Sequence, residues 1–160
     1  MPDIIRGDAS RIDELEPLWL ALREHHASIT EHWGPLRPPE ESWGRRRKNY
    51  VDILDEGGLL FIAEEDGAIV GHAMCEIEQG GGSPTWAWPP DFVAIVDLIV
   101  LPDRRGQGVG EALMSAVEQE ARERGIAALD LMVAAPNENA CRFYERQGFR
   151  ADLITYRKPL

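Results

Sequence analysis

Two features of this sequence combine residue types that can do chemistry. The first is Arg105-Gly106-Gln107-Gly108-Val109-Gly110, which follows an apolar stretch ending at Pro102. Glycines let a backbone turn tightly and bring its N–H groups close to an anion. The helix expected directly after them adds unpaired amides and the positive end of its dipole. Arg104 and Arg105 add positive charge. Strand, loop and helix together suit a phosphate or a pyrophosphate. A P-loop needs GxxxxGK[ST], and neither Lys48 nor Lys158 is followed by Ser or Thr. A GxGxxG dinucleotide fingerprint is met at Gly106 and Gly108, with Asp130 about 20 residues on, but its third position is Glu111 and several strands precede it. Taken alone, the loop reads as an anion site or as a tight strand-to-helix turn. The second feature is Asp97, a carboxylate inside the apolar run Phe92–Leu101. Burial there is costly without a partner, so Asp97 reads as a hydrogen-bonding structural residue or as a base or amine anchor. Glu76 and Glu78, on a neighbouring stretch, are alternative bases.

The elements that must position these residues are legible in outline. Asp3–Arg6 reads as a short strand, and Ser10 can cap a helix to about Ala27, with Pro17 delaying or kinking it. A second helix is expected over Glu40–Asp55, ending at Gly57-Gly58. Leu59–Glu64 and Ala68–Gln79 read as strands joined at Asp66-Gly67. A Gly, Pro and Trp-rich loop leads to a strand over Phe92–Leu101. Helix Val109–Arg124, strand Ile126–Ala134, a helix from Pro136-Asn137 to Gln147 and a last strand over Phe149–Arg157 follow. The order β-α-α-β-β-β-α-β-α-β is that of a single α/β or α+β domain over residues 1–160 with a mixed sheet.

Bulk properties limit the partners. Seventeen basic against 28 acidic residues give a net charge of −11, which argues against nucleic acid or an anionic membrane and suits a cationic substrate such as an amine. No apolar run approaches the roughly 20 residues of a membrane span, and the N-terminus lacks signal-peptide character, so a cytoplasmic protein is expected. Cys75 and Cys141 read as reduced thiols, and no Cys/His spacing implies a metal. His25, His26 and His32 read as surface histidines or as neighbours of a substrate pocket, His72 as a satisfied strand residue, and Arg45-Arg46-Arg47-Lys48 as a solvated face or as an attractor for an acidic group on a substrate. Trp86 and Trp88 read equally as packing residues or as an aromatic wall for a ligand.

The stretch from Asp97 to Leu113 closely resembles the coenzyme A motif of the GCN5-related N-acetyltransferase (GNAT) superfamily, R/Q-x-x-G-x-G/A after an apolar triplet, with Arg105, Gly108 and Gly110 filling it. Asn137-x-x-Ala140-x-x-Phe143-Tyr144-x-x-x-Gly148-Phe149 resembles that family's second hallmark. Together they span about a third of the chain; the upstream half is similar only in element order. The resemblance implies a mostly antiparallel mixed sheet flanked by about four helices, with a splay between the two central strands that takes the pantetheine arm of acetyl-CoA. It implies that Leu98, Ile99 and Val100 pair backbone groups with that arm. Gly106, Gln107, Gly108, Val109, Gly110 and Glu111 would wrap the pyrophosphate, Asn137 would bond the cofactor, and Tyr144 would be the general acid. Where some branches carry a basic Glu, this sequence has Ala94 and Met132. The activity implied is acetyl transfer to a primary amine of a small molecule, with no metal. A peptide N-acetyltransferase, or a non-catalytic acyl-CoA-binding module that would not need Tyr144, are alternatives. Dimers are common among the proteins it resembles.

Overall fold

A computed structural model describes residues 1–30 and 33–160. Strand β1 is Asp3–Gly7. A 3-10 segment, Ala9–Leu15, follows, and its cap is Asp8, whose carboxylate accepts from the Ser10 N–H at 2.8 Å. The cap is thus Asp8 and not Ser10. Helix α1 begins only at Glu16 and runs to Ile29, with Pro17 in its first turn, where a missing N–H costs nothing. Helix α2 is Pro39–Asp55. Strands β2 (Leu59–Glu65), β3 (Ala68–Glu78) and β4 (Phe92–Val100), helix α3 (Val109–Glu123), strand β5 (Ala128–Leu131) and helix α4 (Glu138–Arg146) complete the order. Among the described residues no helix is long and apolar enough to cross a membrane.

The five strands form one sheet in the order β1-β2-β3-β4-β5. The first four are antiparallel, and β5 lies parallel to β4. Alternation along the strands divides the core into two layers. Leu59, Phe61, Val70 and Cys75 pack with Val109, Leu113, Met114 and Val117 of α3 on one face. Leu60, Ile62 and Met74 pack with Ile12, Leu15, Trp43, Tyr50 and Ile53 on the other.

Two irregularities matter for the site. Strand β5 pairs with β4 only over Phe92–Ile95, so Val96–Val100 is bonded to β3 on one edge and to no strand on the other. That is the expected splay. A β-bulge also lies where Met74 opposes Asp97 while Cys75 opposes Ile95, leaving Val96 as the extra residue. A bulge re-aims the side chains beside it. The expected strand over 149–157 does not form: residues 151–160 are exposed and pair with nothing in the sheet, so β5 is its outermost strand. Strand propensity describes fit to a pleated, half-buried surface, and this segment does not lie against one.

The bulge directs Asp97 toward α2, into a buried polar chain. The Tyr50 hydroxyl donates to Asp97 Oδ2 at 2.6 Å and lies 3.0 Å from His72 Nε2. Arg46 Nη1 is 3.5 Å from the same carboxylate oxygen. If Tyr50 donates to Asp97, the proton of His72 is on Nε2, and Nδ1, buried without a partner among the described residues, is left as a bare acceptor. Burial, helped by the charge of Arg46, lowers the His72 pKa from 6.5 to about 3. The unfolded chain therefore takes up a proton near pH 6.5 that the native state refuses until about pH 3. The stability this confers is complete above pH 6.5 and is lost as pH falls toward 3, at up to about 1.4 kcal/mol per pH unit. His72→Gln is expected to flatten the stability profile over this acid range in urea titrations; identical slopes for both proteins would locate the dependence elsewhere.

Candidate active site

The site is built where β4 loses its second partner. The Val96–Val100 backbone runs unpaired on that edge into a 3-10 turn, Pro102–Arg104, and then the glycine loop. Gly106 and Gly108 have φ of +72° and +85°, left-handed values that a side chain resists. Around Gly106 nothing lies within 4 Å of where a Cβ would be, and around Gly108 only the Met1 side chain does, at 3.7 Å. The concave face of the loop is thus open. The first intrahelical bond of α3 is Ala112 N–H to Gly108 O at 3.0 Å, which leaves the amides of Gly108, Val109, Gly110 and Glu111 ahead of it at the positive helix end. Gln107 and Arg105 brace the turn through Gln107 Nε2 to Asp103 O at 2.8 Å and Arg105 Nε to Val100 O at 3.2 Å. The cradle fits a pyrophosphate, and the adjoining strand edge fits an amide-bearing arm such as pantetheine.

Helix α4 closes the cleft. Gly110 allows its approach, since a Cβ there would meet the Phe143 ring at 3.3 Å. Asn137 caps α4, its Oδ1 accepting from the Ala140 N–H at 3.4 Å, and the His25 Nε2 of α1 lies 3.3 Å from the same oxygen. Tyr144 packs between Phe143 and Phe149, with ring centroids at 5.2 and 5.7 Å. Burial, with Asp97 adding to it, pushes its phenol up to about 12, so Tyr144 holds its proton at neutral pH.

The face opposite α3 holds the other charges. Burial raises the carboxyl of Asp97 above the ordinary aspartate range, opposed by Arg46 and by the Tyr50 hydrogen bond. Glu76 lies opposite Ala94, just before the splay begins at Val96; its carboxyl is raised by partial burial and by Glu78. Arg46 departs from the expected solvated face: its guanidinium lies 4.3 Å from the Trp19 ring centroid and reaches Asp97. Arg47 and Lys48 instead pair on the surface with Asp13 and Asp52. A cavity of about 350 Å³ between α1 and α2 is lined by Trp19, Arg37, Ser42, Arg45, Arg46 and Asn49.

The structure sets Phe143 of α4 against Gly110 of the loop and Tyr144 between Phe143 and Phe149, while Asn137 meets His25 of α1 and the Asp97 side chain faces Tyr50 of α2. It leaves Trp86 and Trp88 exposed in the loop before β4, with roughly 25 Å of strand between them and the glycine loop. His32 lies outside the described residues. Tyr50 and its partnership with His72 are not anticipated by the motifs. A signal existed in the spacing of Trp43, Arg46, Tyr50 and Ile53, which fall on one helical face.

Comparison with known proteins agrees with this fold. The chain is 32% identical over 149 residues to a mycothiol acetyltransferase of Propionibacterium freudenreichii, covering 93% of this chain and 44% of that protein. It thus spans less than half the length of that relative. It is 36% identical over 110 residues to the aminoalkylphosphonate N-acetyltransferase of Salmonella typhimurium, covering 69% of this chain and 68% of the other. A tetramutant of the BH1408 protein of Bacillus halodurans has the same fold, with a TM-score of 0.83 at 24% identity over 99% of both chains. The aminoglycoside N-acetyltransferase AAC(6')-Iy, solved in complex with CoA, superposes with a TM-score of 0.68 at 20% identity, covering 100% of this chain and 96% of that one. Residues 19–149, from α1 through the end of the last helix, match the Acetyltransferase (GNAT) family, and the chain belongs to that family.

Proposed function

We propose that this protein transfers the acetyl group of acetyl-CoA directly to a primary amine of a small molecule. The observation that carries this reading is the continuity of an unpaired strand edge, Val96–Val100, with the free amides at Gly108–Glu111. Acetyl-CoA supplies a thioester carbonyl, at which the amine nitrogen forms a bond to carbon as the carbon–sulfur bond breaks. The chain's own groups orient and neutralise. The amides of Gly108, Val109, Gly110 and Glu111 hold the anionic end, and the backbone of Leu98, Ile99 and Val100 aligns the arm. An N–H of that edge answers the developing oxyanion in this reading. Asp97, its basicity raised by burial, takes the amine proton directly or through water. Tyr144 gives its proton to the departing sulfur. A non-catalytic acyl-CoA-binding module would need the loop but not a protonated phenol beside it.

The net charge of −11 favours a cationic acceptor, but the α1–α2 cavity carries a different local charge. Arg37 and Arg45 share Glu41 Oε1, at 2.6 and 3.1 Å, and Arg46 faces Asp97, so three guanidiniums stand against two carboxylates. This favours an amine that also bears an acidic group, as the aminoalkylphosphonate of the relative's name does.

Three outcomes test these readings. Tyr144→Phe is expected to lower kcat roughly 100-fold or more with near-normal acetyl-CoA affinity by calorimetry, and an unchanged rate would remove it as the acid. Gly108→Glu is expected to abolish acetyl-CoA binding while the protein stays folded; retained affinity would place the pyrophosphate elsewhere. In a thiol-release screen, amines matched with and without an acidic group should differ by about tenfold or more in kcat/KM in favour of the acidic member. A polyamine as the best acceptor would restore the cationic reading.

A further inference from the structure

Asp97 is held by only one of its two oxygens. The Tyr50 hydroxyl donates to Oδ2 at 2.6 Å, and Arg46 Nη1 stands 3.5 Å from that same atom. Oδ1 takes no donor from the described residues. It is not sealed either: the one unpartnered side-chain atom wholly shut off from solvent among those residues is His72 Nδ1. The 8% of Asp97 that is exposed therefore includes Oδ1. The backbone of Asp97 belongs to the unpaired Val96–Val100 edge, and its side chain meets Arg46, which also lines the α1–α2 cavity. The residue thus joins the strand edge to the cavity wall, with one oxygen tied and one open.

The tie has a direction. A proton on His72 Nδ1 would be a buried donor without an acceptor, so the proton is on Nε2, 3.0 Å from the Tyr50 oxygen. Donors then run one way, from His72 to Tyr50 to Asp97. Such a chain does not drain a proton from the carboxylate, because the next acceptor along it, Nε2, is already protonated. It fixes the carboxylate instead. Successive hydrogen bonds polarise one another, so the bond from His72 makes Tyr50 a stronger donor.

We propose that Tyr50, held by His72, is a positioning residue for acetyl transfer: it locks Oδ2 of Asp97 and leaves Oδ1 as the atom that receives the amine proton. This role rests on the reading of Asp97 as the proton acceptor. The proton passes from the amine nitrogen to Oδ1, its bonding pair stays on nitrogen, and the carboxylate becomes a neutral acid. Burial raises the Asp97 carboxyl, and Arg46 and Tyr50, both on α2, oppose that rise. On β3, His72 stays neutral down to about pH 3, and the Cys75 thiol is pushed up to about 12 by burial. On α4, Tyr144 feels the charge of Asp97 and keeps its proton. On α1, His26 lies within electrostatic reach of Arg46, its pKa lowered by burial. At pH 7 and above, the charges left in this group are therefore those of Arg46 and Asp97.

The test uses the full chain labelled with carbon-13 aspartate, the Asp97 carboxyl signal being assigned with Asp97→Asn. Tyr50→Phe keeps the ring and removes the hydroxyl. It is expected to raise the Asp97 pKa by about 1 to 2 units. The acid limb of the kcat/KM profile is expected to move to higher pH by the same interval, with the plateau above it changed by less than about tenfold. His72→Leu should move both readings the same way by a smaller step. His72→Gln, which keeps an N–H at the place of Nε2, should restore both. A purely structural role would lower stability and leave both pH readings in place. An unmoved carboxyl titration in Tyr50→Phe, or equal shifts in His72→Leu and His72→Gln, would overturn the proposal. A carboxyl that moves while the acid limb stays would instead remove Asp97 as the acceptor, and the positioning role with it.

Discussion

Strand β4 is paired along its length on one edge, interrupted only by the bulge at Val96, and over only four residues on the other. Buried backbone groups require partners, and a strand that leaves five residues of one edge without them must be answered by something that is not sheet. Everything else follows from that asymmetry. The α3 face of β4 is fully apolar, because Val93 and Ile95 seal the core on which the helix after the glycine loop rests. The bulge at Val96 turns Asp97 to the opposite face, where α2 supplies Tyr50. One strand thus provides a hydrophobic floor, a buried carboxylate and an unsatisfied edge, each in a different direction.

The parts of this arrangement legible in the sequence are local. Gly106 and Gly108 announce left-handed backbone, and the periodic Val109, Leu113 and Val117 announce the helix that follows. Asn137 and Gly148 bracket α4 as a cap and a stop. The rest depended on groups far apart in the chain. Asp97 looked costly in an apolar strand, and its partner Tyr50 stands 47 positions away on a helix. Arg46 looked like one member of a basic run, yet the helix turns it inward while Arg45, Arg47 and Lys48 stay at the surface. The segment after Phe149 has the composition of a strand, but composition carries no information about whether an edge receives it. Net charge was similarly blind to position: a sum of −11 coexists with a cavity walled by three arginines.

The two core layers differ in what they contain. The α3 layer is apolar throughout, with Cys75 an inert thiol pushed up to about 12 by burial. The α2 layer carries the hydroxyl, imidazole and carboxylate chain within an otherwise hydrophobic cluster. Polar chains of this kind hold their members in one geometry when every link is made, and here only Nδ1 of His72 is left over among the described residues.

Arg46 has a further consequence. Its guanidinium is shared among the Trp19 ring, Asn49 Oδ1 at 2.9 Å and the Asp97 carboxylate. It is therefore a single positive charge divided between an open cavity and a closed interior. Because Arg46 opposes the rise that burial gives the Asp97 pKa, an anion bound in the cavity would compete with Asp97 for that charge.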